Sequence, residues 1–316
     1  MRILVTGGAG FIGSNLIKEL INQNNFIVCL DDLSHGFERN IKEFLDNKNF
    51  IFVKGDIRDL KLINKIIKDY SINYISHQAA RCSVPKSIEN PILTTEINIK
   101  GTLNILWAAK ESRVKKVVIA SSSSIYGDLM KLPKKESMNY NPKSPYAITK
   151  IVEELYSKNF YDLYGLKTIC LRYFNVYGPK QNPEGDYSAA IPKFINSALS
   201  NKSLTIFGDG TQTRDFIFVQ DVVNVNISAL KKDVIGNFNI GSGKRISINE
   251  LAKKIIEITS SKSKIIYLPE RKGDIKDSLA DISLAKKYLD FNPKYDLEEG
   301  LKITAEWIKN NLKAVK

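Results

Sequence analysis

Close to the N-terminus, the apolar run Ile3-Leu4-Val5 breaks into Thr6-Gly7-Gly8-Ala9-Gly10-Phe11-Ile12-Gly13, which leads into the helical period of Phe11 to Leu20. Few folds place so many glycines between a strand and a helix. Glycine is needed there for a tight turn, for close backbone approach to a pyrophosphate and for close helix–strand packing. The helix N-terminus then presents unpaired N–H groups and a partial positive charge to the anion. A glycine-rich turn by itself is a weak sign; its place between the first strand and the first helix gives it force.

The rest of the N-terminal half repeats this alternation. Phe26 to Leu30, Phe50 to Val53, Tyr74 to Ser76, Val117 to Ala120 and Thr168 to Leu171 are short apolar runs. Between them, Leu60 to Lys68, Ile92 to Lys110 and Tyr146 to Tyr164 have helical period. Strands alternating with longer helices predict βαβ units, and right-handed crossovers make them a doubly wound parallel sheet. After Asn175 the rhythm breaks at Gly178-Pro179, Pro183 and Gly185, and two loop-like stretches follow, Phe207 to Arg214 and Gly241 to Arg245. Asp221 to Lys231, Ser247 to Ile258 and Leu297 to Leu312 still have helical period. The expected division is a dinucleotide-binding domain over 1–175, to which 217–240 returns, and a smaller interleaved α/β lobe over 176–216 and 241–316.

A length of 316 residues allows this two-part arrangement, and 43% hydrophobic content supplies its core. No apolar run is long enough to span a membrane. The three cysteines (Cys29, Cys82, Cys170) are too few and too scattered for a disulfide framework or a zinc site. A soluble, cytoplasmic protein without a zinc site is expected. The net charge of +13 arises from lysines spread singly and in pairs, a solvated surface rather than a nucleic-acid-binding block.

Asp31 ends the second strand, eighteen positions beyond Gly13. A carboxylate there accepts from an adenosine ribose and repels a 2′-phosphate, which favours NAD. Asp32 beside it shares the claim, and a carboxylate capping the next turn is the alternative. Asp56-Ile57 after the third strand is placed to meet the adenine, though a helix N-cap accounts equally for the aspartate.

Pro145 marks a helix start, so Tyr146 and Lys150 fall on one face, one turn apart. An ammonium near a phenol lowers its pKa, making a base usable near neutral pH. Upstream, Ser121 to Ser124 leave the strand Val117 to Ala120 at the edge where parallel sheets bind ligands, or form an ordinary polar loop. His35 and His77 stand in no metal-like cluster and are expected to be structural.

TGGAGFIGS, SSSSIYG (Ser121 to Gly127), YAITK (Tyr146 to Lys150) and LRYFN (Leu171 to Asn175) together resemble the extended short-chain dehydrogenase/reductase family, closest to its nucleotide-sugar 4-epimerases of the UDP-galactose type. The likeness covers nearly the whole chain and implies a Rossmann fold with NAD as cofactor. It makes Tyr146 the base at the sugar 4-hydroxyl, Lys150 its ribose-binding partner and Ser122 the hydrogen bond to the 4-oxygen, with the serine run leaving the register open by one. Gly7, Gly10, Phe11, Ile12, Gly13, Asp31, Asp32, Asp56, Ile57, Gln78, Ala79, Ala80, Asn98 and Tyr173 are implied cofactor contacts. Ser83, Ser122, Ser123, Asn175, Ala189, Arg214, Arg271, Asp274 and Ser278 are implied contacts of a UDP-sugar.

Dehydrating sisters carry an Asp-Glu pair where this chain has Ser123 and Ser124, and decarboxylating sisters carry a glutamate at Ser124. Epimerisation of UDP-glucose and UDP-galactose is therefore expected. A small residue at Ser278 leaves room for an N-acetyl group, so UDP-GlcNAc and UDP-GalNAc are expected to fit as well. The alternatives are another epimerase or dehydratase of the family, or a non-catalytic NAD- or RNA-binding member. The resemblance also implies a homodimer through helices 92–110 and 146–164, with Ile97, Leu103, Trp107, Ile151, Leu155, Phe160 and Leu163 as its apolar face, unless they pack on the sheet.

Overall fold

A computed structural model describes residues 1–183, 189–270 and 275–313. Its centre is a seven-stranded, wholly parallel sheet. The strands are β1 (Arg2–Thr6), β2 (Phe26–Asp31), β3 (Phe50–Lys54), β4 (Tyr74–His77), β5 (Lys116–Ser122), β6 (Thr168–Tyr173) and β7 (Gly236–Ile240). Their order across the sheet is β7-β6-β5-β4-β1-β2-β3. The order reverses at β1, and the crevice at the carboxyl ends of β1 and β4 is where such sheets bind ligands.

Both faces are covered, as runs like Ile-Leu-Val require. Helices α1 (Phe11–Asn22) and α8 (Val219–Lys231) cover one face, placing Leu16, Ile17, Val222 and Val225 in one core cluster. On the other face, α2 (Leu60–Asp69) and α5 (Gly101–Glu111) bury Ile63, Ile66, Ile105 and Leu106. The α1 boundary follows from its apolar positions, which recur at three- and four-residue steps and are buried as a stripe.

The long expected helix over 92–110 is not continuous. Short helices α3 (Val84–Glu89) and α4 (Pro91–Thr95) come first, and a π-helical turn at Glu96–Lys100 leads into α5. Prolines and the capping side chains Ser83 and Asn90 open the two short helices. α6 (Pro145–Tyr164) runs as expected: the Ser144 hydroxyl accepts the Ala147 N–H at 3.2 Å, and Gly165, at φ +69°, ends it.

Strand β7 was not legible as a strand, since Gly-Asn-Phe-Asn-Ile has little strand propensity; its register against β6, from Ile169 to Tyr173, makes it one. The lobe is built from small pieces: Leu204–Phe207 beside Ile265–Leu268, Thr213–Arg214 beside Ile246–Ser247, and Asn175–Tyr177 beside Phe216–Phe218. Around them lie α7 (Ala190–Leu199), α9 (Ile248–Ile258), α10 (Ser283–Leu289) and α11 (Leu297–Lys313). Of the expected dimer face, Ile151 and Phe160 belong to the core and Ile97 and Leu103 pack against it, whereas Leu155, Leu163 and Trp107 are exposed. No described helix is long and apolar enough to cross a membrane.

Candidate active site

A cavity of about 660 Å³ lies along the carboxyl ends of β1, β2, β4 and β5. Its floor is the glycine turn. Gly7 has φ +65°, and a Cβ there would stand 2.7 Å from the backbone of Ala79; a Cβ on Gly13 would run into the Gly7 carbonyl. Side chains are thus excluded where the chain after β1 passes under the chain after β4 and where α1 closes on the turn. Gly10 opens α1 with no side-chain cap, leaving that helix end to the cavity. Such a cradle fits a dinucleotide pyrophosphate.

Asp31 and Asp32 both line this cavity but have different work. Asp31 accepts the Ala9 N–H at 2.9 Å and the Leu33 N–H at 2.8 Å, tying the glycine turn to the end of β2. Burial raises its pKa against those two bonds. Asp32 accepts from the N–H and hydroxyl of Ser34, so each of the two carboxylates caps the N–H two residues on, and only Asp31 also ties down the glycine turn. Asp56 is held by Arg58, at 2.9 Å from Nε and 2.7 Å from its N–H, and its pKa is lowered accordingly. It is not a helix cap, because Asp59 caps α2 by accepting the Leu62 N–H.

Phe11, Ile12, Ile57, Gln78, Ala79, Ala80, Ser83 and Tyr173 also line the cavity. The Tyr173 hydroxyl lies 3.2 Å from the Gln78 amide oxygen and 2.8 Å from the Asn226 amide nitrogen, which orients all three side chains. Asn98, expected to touch the cofactor, does not line it. Fully buried in the π-helical turn, it accepts the Arg81 N–H at 2.8 Å and donates to the Thr149 hydroxyl at 3.0 Å, holding the cavity wall from behind.

Tyr146 and Lys150 reach the cavity from α6, with the Lys150 ammonium 5.9 Å from the Tyr146 ring centroid. Burial dominates the phenol and pushes its pKa up to about 12, while Lys150 and a hydrogen bond with Ser122 pull it down. The expected lowering is therefore present but outweighed: removing water penalises the phenolate more than one ammonium repays. The first two serines of the run differ in setting: Ser121 lines the cavity, whereas Ser122 caps the turn that follows β5 by accepting the Ser124 N–H at 3.1 Å. Ser121 donates to Glu154 at 2.6 Å, and Ser122 is the serine of the run that lowers the Tyr146 pKa. Ser123 is half-buried, opens a single 3₁₀ turn and lies outside both cavity linings.

A second cavity of about 260 Å³ lies in the lobe, lined by Asn175, Ala189, Lys193, Phe207, Gln212, Arg214 and Phe216 among others. It brings together three expected contacts (Asn175, Ala189, Arg214) and joins cationic to aromatic side chains, a combination suited to a nucleoside diphosphate. Ser278 is half-buried beside it, its N–H bonded to the Thr213 carbonyl at 3.1 Å, but does not line it. Arg271 and Asp274 lie outside the described residues.

His77 is structural: its ring nitrogens meet the hydroxyls of Thr6 at 2.6 Å and Thr102 at 2.9 Å. His35, by contrast, lines the larger cavity with Lys86, Arg81 and Cys82, four residues that sequence reasoning missed. The Ser-Val-Pro-Lys run was the available signal for Lys86, since a capping serine and a proline mark a helix start beside the cavity. Among the described residues no metal-binding cluster of His, Cys, Asp or Glu occurs.

The family model described as GDP-mannose 4,6 dehydratase matches residues 4–304. A Methanocaldococcus jannaschii protein bearing a UDP-glucose 4-epimerase name is 42% identical over 98% of this chain and 99% of its own. A UDP-glucuronate 4-epimerase of Thermodesulfobacterium geofontis is 39% identical, covering 99% and 98%. Relatives named as a decarboxylase and as dehydratases match at 35% and 33%. Among solved structures, Thermotoga maritima UDP-glucose 4-epimerase with UDP-glucose superposes at TM-score 0.95, with 38% identity over 99% of this chain and 100% of that one. Methanobrevibacter ruminantium UDP-N-acetylglucosamine 4-epimerase, with UDP-N-acetylmuramic acid, gives 0.93, 41% and 98% of both chains. Thermus thermophilus UDP-glucose 4-epimerase with NAD gives 0.90 and 32%, over 98% of this chain and 99% of that one. With its Tyr-Lys pair, glycine cradle and reversed-order sheet, this chain belongs to the extended short-chain dehydrogenase/reductase family, among the NAD-dependent nucleotide-sugar epimerases and dehydratases.

Proposed function

We propose that the protein is a UDP-hexose 4-epimerase that interconverts UDP-glucose and UDP-galactose, with UDP-GlcNAc and UDP-GalNAc as further substrates. The observation that supports this reading is the set of groups at the cavity end: Tyr146 and Lys150 line it, Ser122 follows the lining residue Ser121, and no carboxylate stands at positions 123 and 124. Eliminating water from the sugar needs an acid and a base beyond the tyrosine, and two serines supply neither. NAD⁺, for which the glycine cradle and Asp31 fit, supplies when bound a reversible hydride acceptor for the sugar C4.

On this reading Tyr146 takes the proton from the 4-hydroxyl as that carbon is oxidised, and Ser122 hydrogen-bonds the 4-oxygen. The 4-keto sugar turns over in the site, Tyr146 returns the proton, and reduction on the opposite face yields the epimer with no net oxidation. Lys150 favours the phenolate and offers N–H donors to the cofactor ribose. Asn175 and Arg214 hold the diphosphate, for which a guanidinium is suited, and Ala189, with Arg271 and Asp274, completes the sugar-nucleotide contacts. The small side chain of Ser278 supports room for an acetamido group, and a missing apolar contact penalises the smaller sugar by only about 1–3 kcal/mol.

Free cysteines and the two cavities support action in a reducing cytoplasm on a small anionic substrate rather than on nucleic acid. The exposed Leu155, Leu163 and Trp107 on α5 and α6 support a homodimer through those helices. Proton NMR of the anomeric signals, with NAD added and with UDP-glucose, UDP-GlcNAc and UDP-glucuronate in separate samples, tests the assignment. Both C4 epimers are expected from the first two. Turnover of UDP-glucose alone removes the Ser278 argument, and turnover of UDP-glucuronate alone replaces the substrate.

A further inference from the structure

Glu153 has no role in the mechanism above, yet it is buried against it. It lies one turn beyond Lys150 on α6, and the Lys150 ammonium donates to Glu153 Oε2 at 2.9 Å, with the two side chains 3% and 1% exposed. The other oxygen, Oε1, is buried without a hydrogen-bond partner. Buried carboxylates are ordinarily given donors for both oxygens, because an unsatisfied one costs free energy. Here one oxygen goes without a donor while the other serves the lysine.

No neighbour can substitute for it. Glu154, next on the helix, is occupied by Arg172 at 2.7 Å. His77 on β4 is held neutral, its pKa driven down to about 3 by burial and by Lys150. Cys170 on β6 is neutral because burial pushes its thiol up. Cys82, after β4, lines the same cavity as Tyr146 and Lys150 but makes no ion pair with the lysine. Among the described residues, Glu153 is the only carboxylate paired with Lys150.

We propose that Glu153 is a positioning residue for the Tyr146–Lys150 pair: it seats the buried ammonium and leaves the trio neutral instead of cationic, thereby setting the pH range in which Tyr146 works as the base. The proposal rests on the functional reading only in naming Tyr146 as the base. Burial raises the Glu153 pKa to about 7 even beside Lys150, so its charge acts from neutral pH upward, where a negative charge in a poorly screened site favours the protonated form of both neighbours. Removing it lowers the pKa of the phenol and of the ammonium together, so the activity profile slides as a whole, whereas structural damage only lowers its height.

The test is Glu153→Gln in the full chain, read in two ways. One is the pH profile of kcat with whichever UDP-hexose turns over. The other is ultraviolet titration of tyrosinate, in which subtracting the Tyr146→Phe protein, in each background, isolates Tyr146. Both limbs and the tyrosinate midpoint are expected to move to lower pH by about one unit, with the maximum kcat kept within a few-fold, and Glu153→Asp is expected to restore the profile. An unmoved midpoint, or a loss of height with no slide, overturns the proposal. So does failure of both variants to fold, which would make the residue purely structural. The tyrosinate titration needs no turnover and separates failure of this proposal from failure of the epimerase assignment.

Discussion

At the scale of single residues, burial decides more than identity. Tyr146 and Lys150 were legible as a pair because four-residue spacing puts side chains on one helical face, but the state of the phenol was not. Glu153 escaped notice because two adjacent carboxylates in a helix are ordinarily surface residues; only packing shows that both are inside. His77 shows the same effect on stability. Its folded pKa of about 3 lies below the ordinary 6.5, so between those values the unfolded chain binds a proton that the native chain does not. Acidification below 6.5 therefore costs about 1.4 kcal/mol per pH unit through this group. Glu153, whose folded pKa is raised to about 7, acts with the opposite sign as pH falls from 7 toward 4.5, so the chain as a whole masks the slope. The expected result is a difference: His77→Gln is less stable than the parent at pH 7, and the gap narrows by about 2 kcal/mol at pH 5. Urea midpoints of both proteins at the two pH values check this, and a constant gap would mean that His77 titrates in the native state.

Elements are held in place by a few buried charges. Glu154 joins α6 to three strands at once: it accepts from Arg172 on β6 at 2.9 and 2.7 Å, from Ser121 on β5 at 2.6 Å and from Asn237 on β7 at 3.0 Å. The helix that carries Tyr146 and Lys150 is thus keyed to the sheet beside Ser121. Removing one partner leaves a buried guanidinium unpaired, which costs about 3–5 kcal/mol. Glu154→Ala is expected to lose that much in urea unfolding and to lose activity with it, whereas Glu153→Gln changes the pH profile first. A Glu154→Ala protein within 1 kcal/mol of the parent would show that the clamp contributes little. Helix and strand boundaries in this half were legible because period and caps agree. The π-helical turn at Glu96–Lys100 was not, since apolar spacing continues through it and only the seating of Asn98 beneath Arg81 marks the break.

For the whole molecule, the sheet sets the position of the larger cavity, and the smaller one lies among short strands of the lobe that no periodicity announces. The exposed apolar residues of α5 and α6 lie on the outside of this assembly. Sedimentation at twice the 35.7 kDa chain mass is expected, with Leu155→Asp combined with Leu163→Asp returning the protein to the mass of one chain. A parent that sediments as a single chain at micromolar concentration removes the homodimer.

What the amino-acid order determines alone is local: the glycine turn, the alternation of short apolar runs with helical period, and Tyr146 one turn from Lys150. These follow from backbone sterics and side-chain periodicity within a few residues, and they sufficed to indicate a doubly wound sheet and a dinucleotide end. The tertiary structure decided what depends on distant partners. It drew Gly-Asn-Phe-Asn-Ile into the sheet as β7, set Asn98 behind the cavity wall, and bonded Ser121 to Glu154. It also placed Glu153 against Lys150. The physical reason is common to all four: hydrogen bonding and desolvation are settled by which groups meet in the interior, and nearest-neighbour spacing carries no record of that.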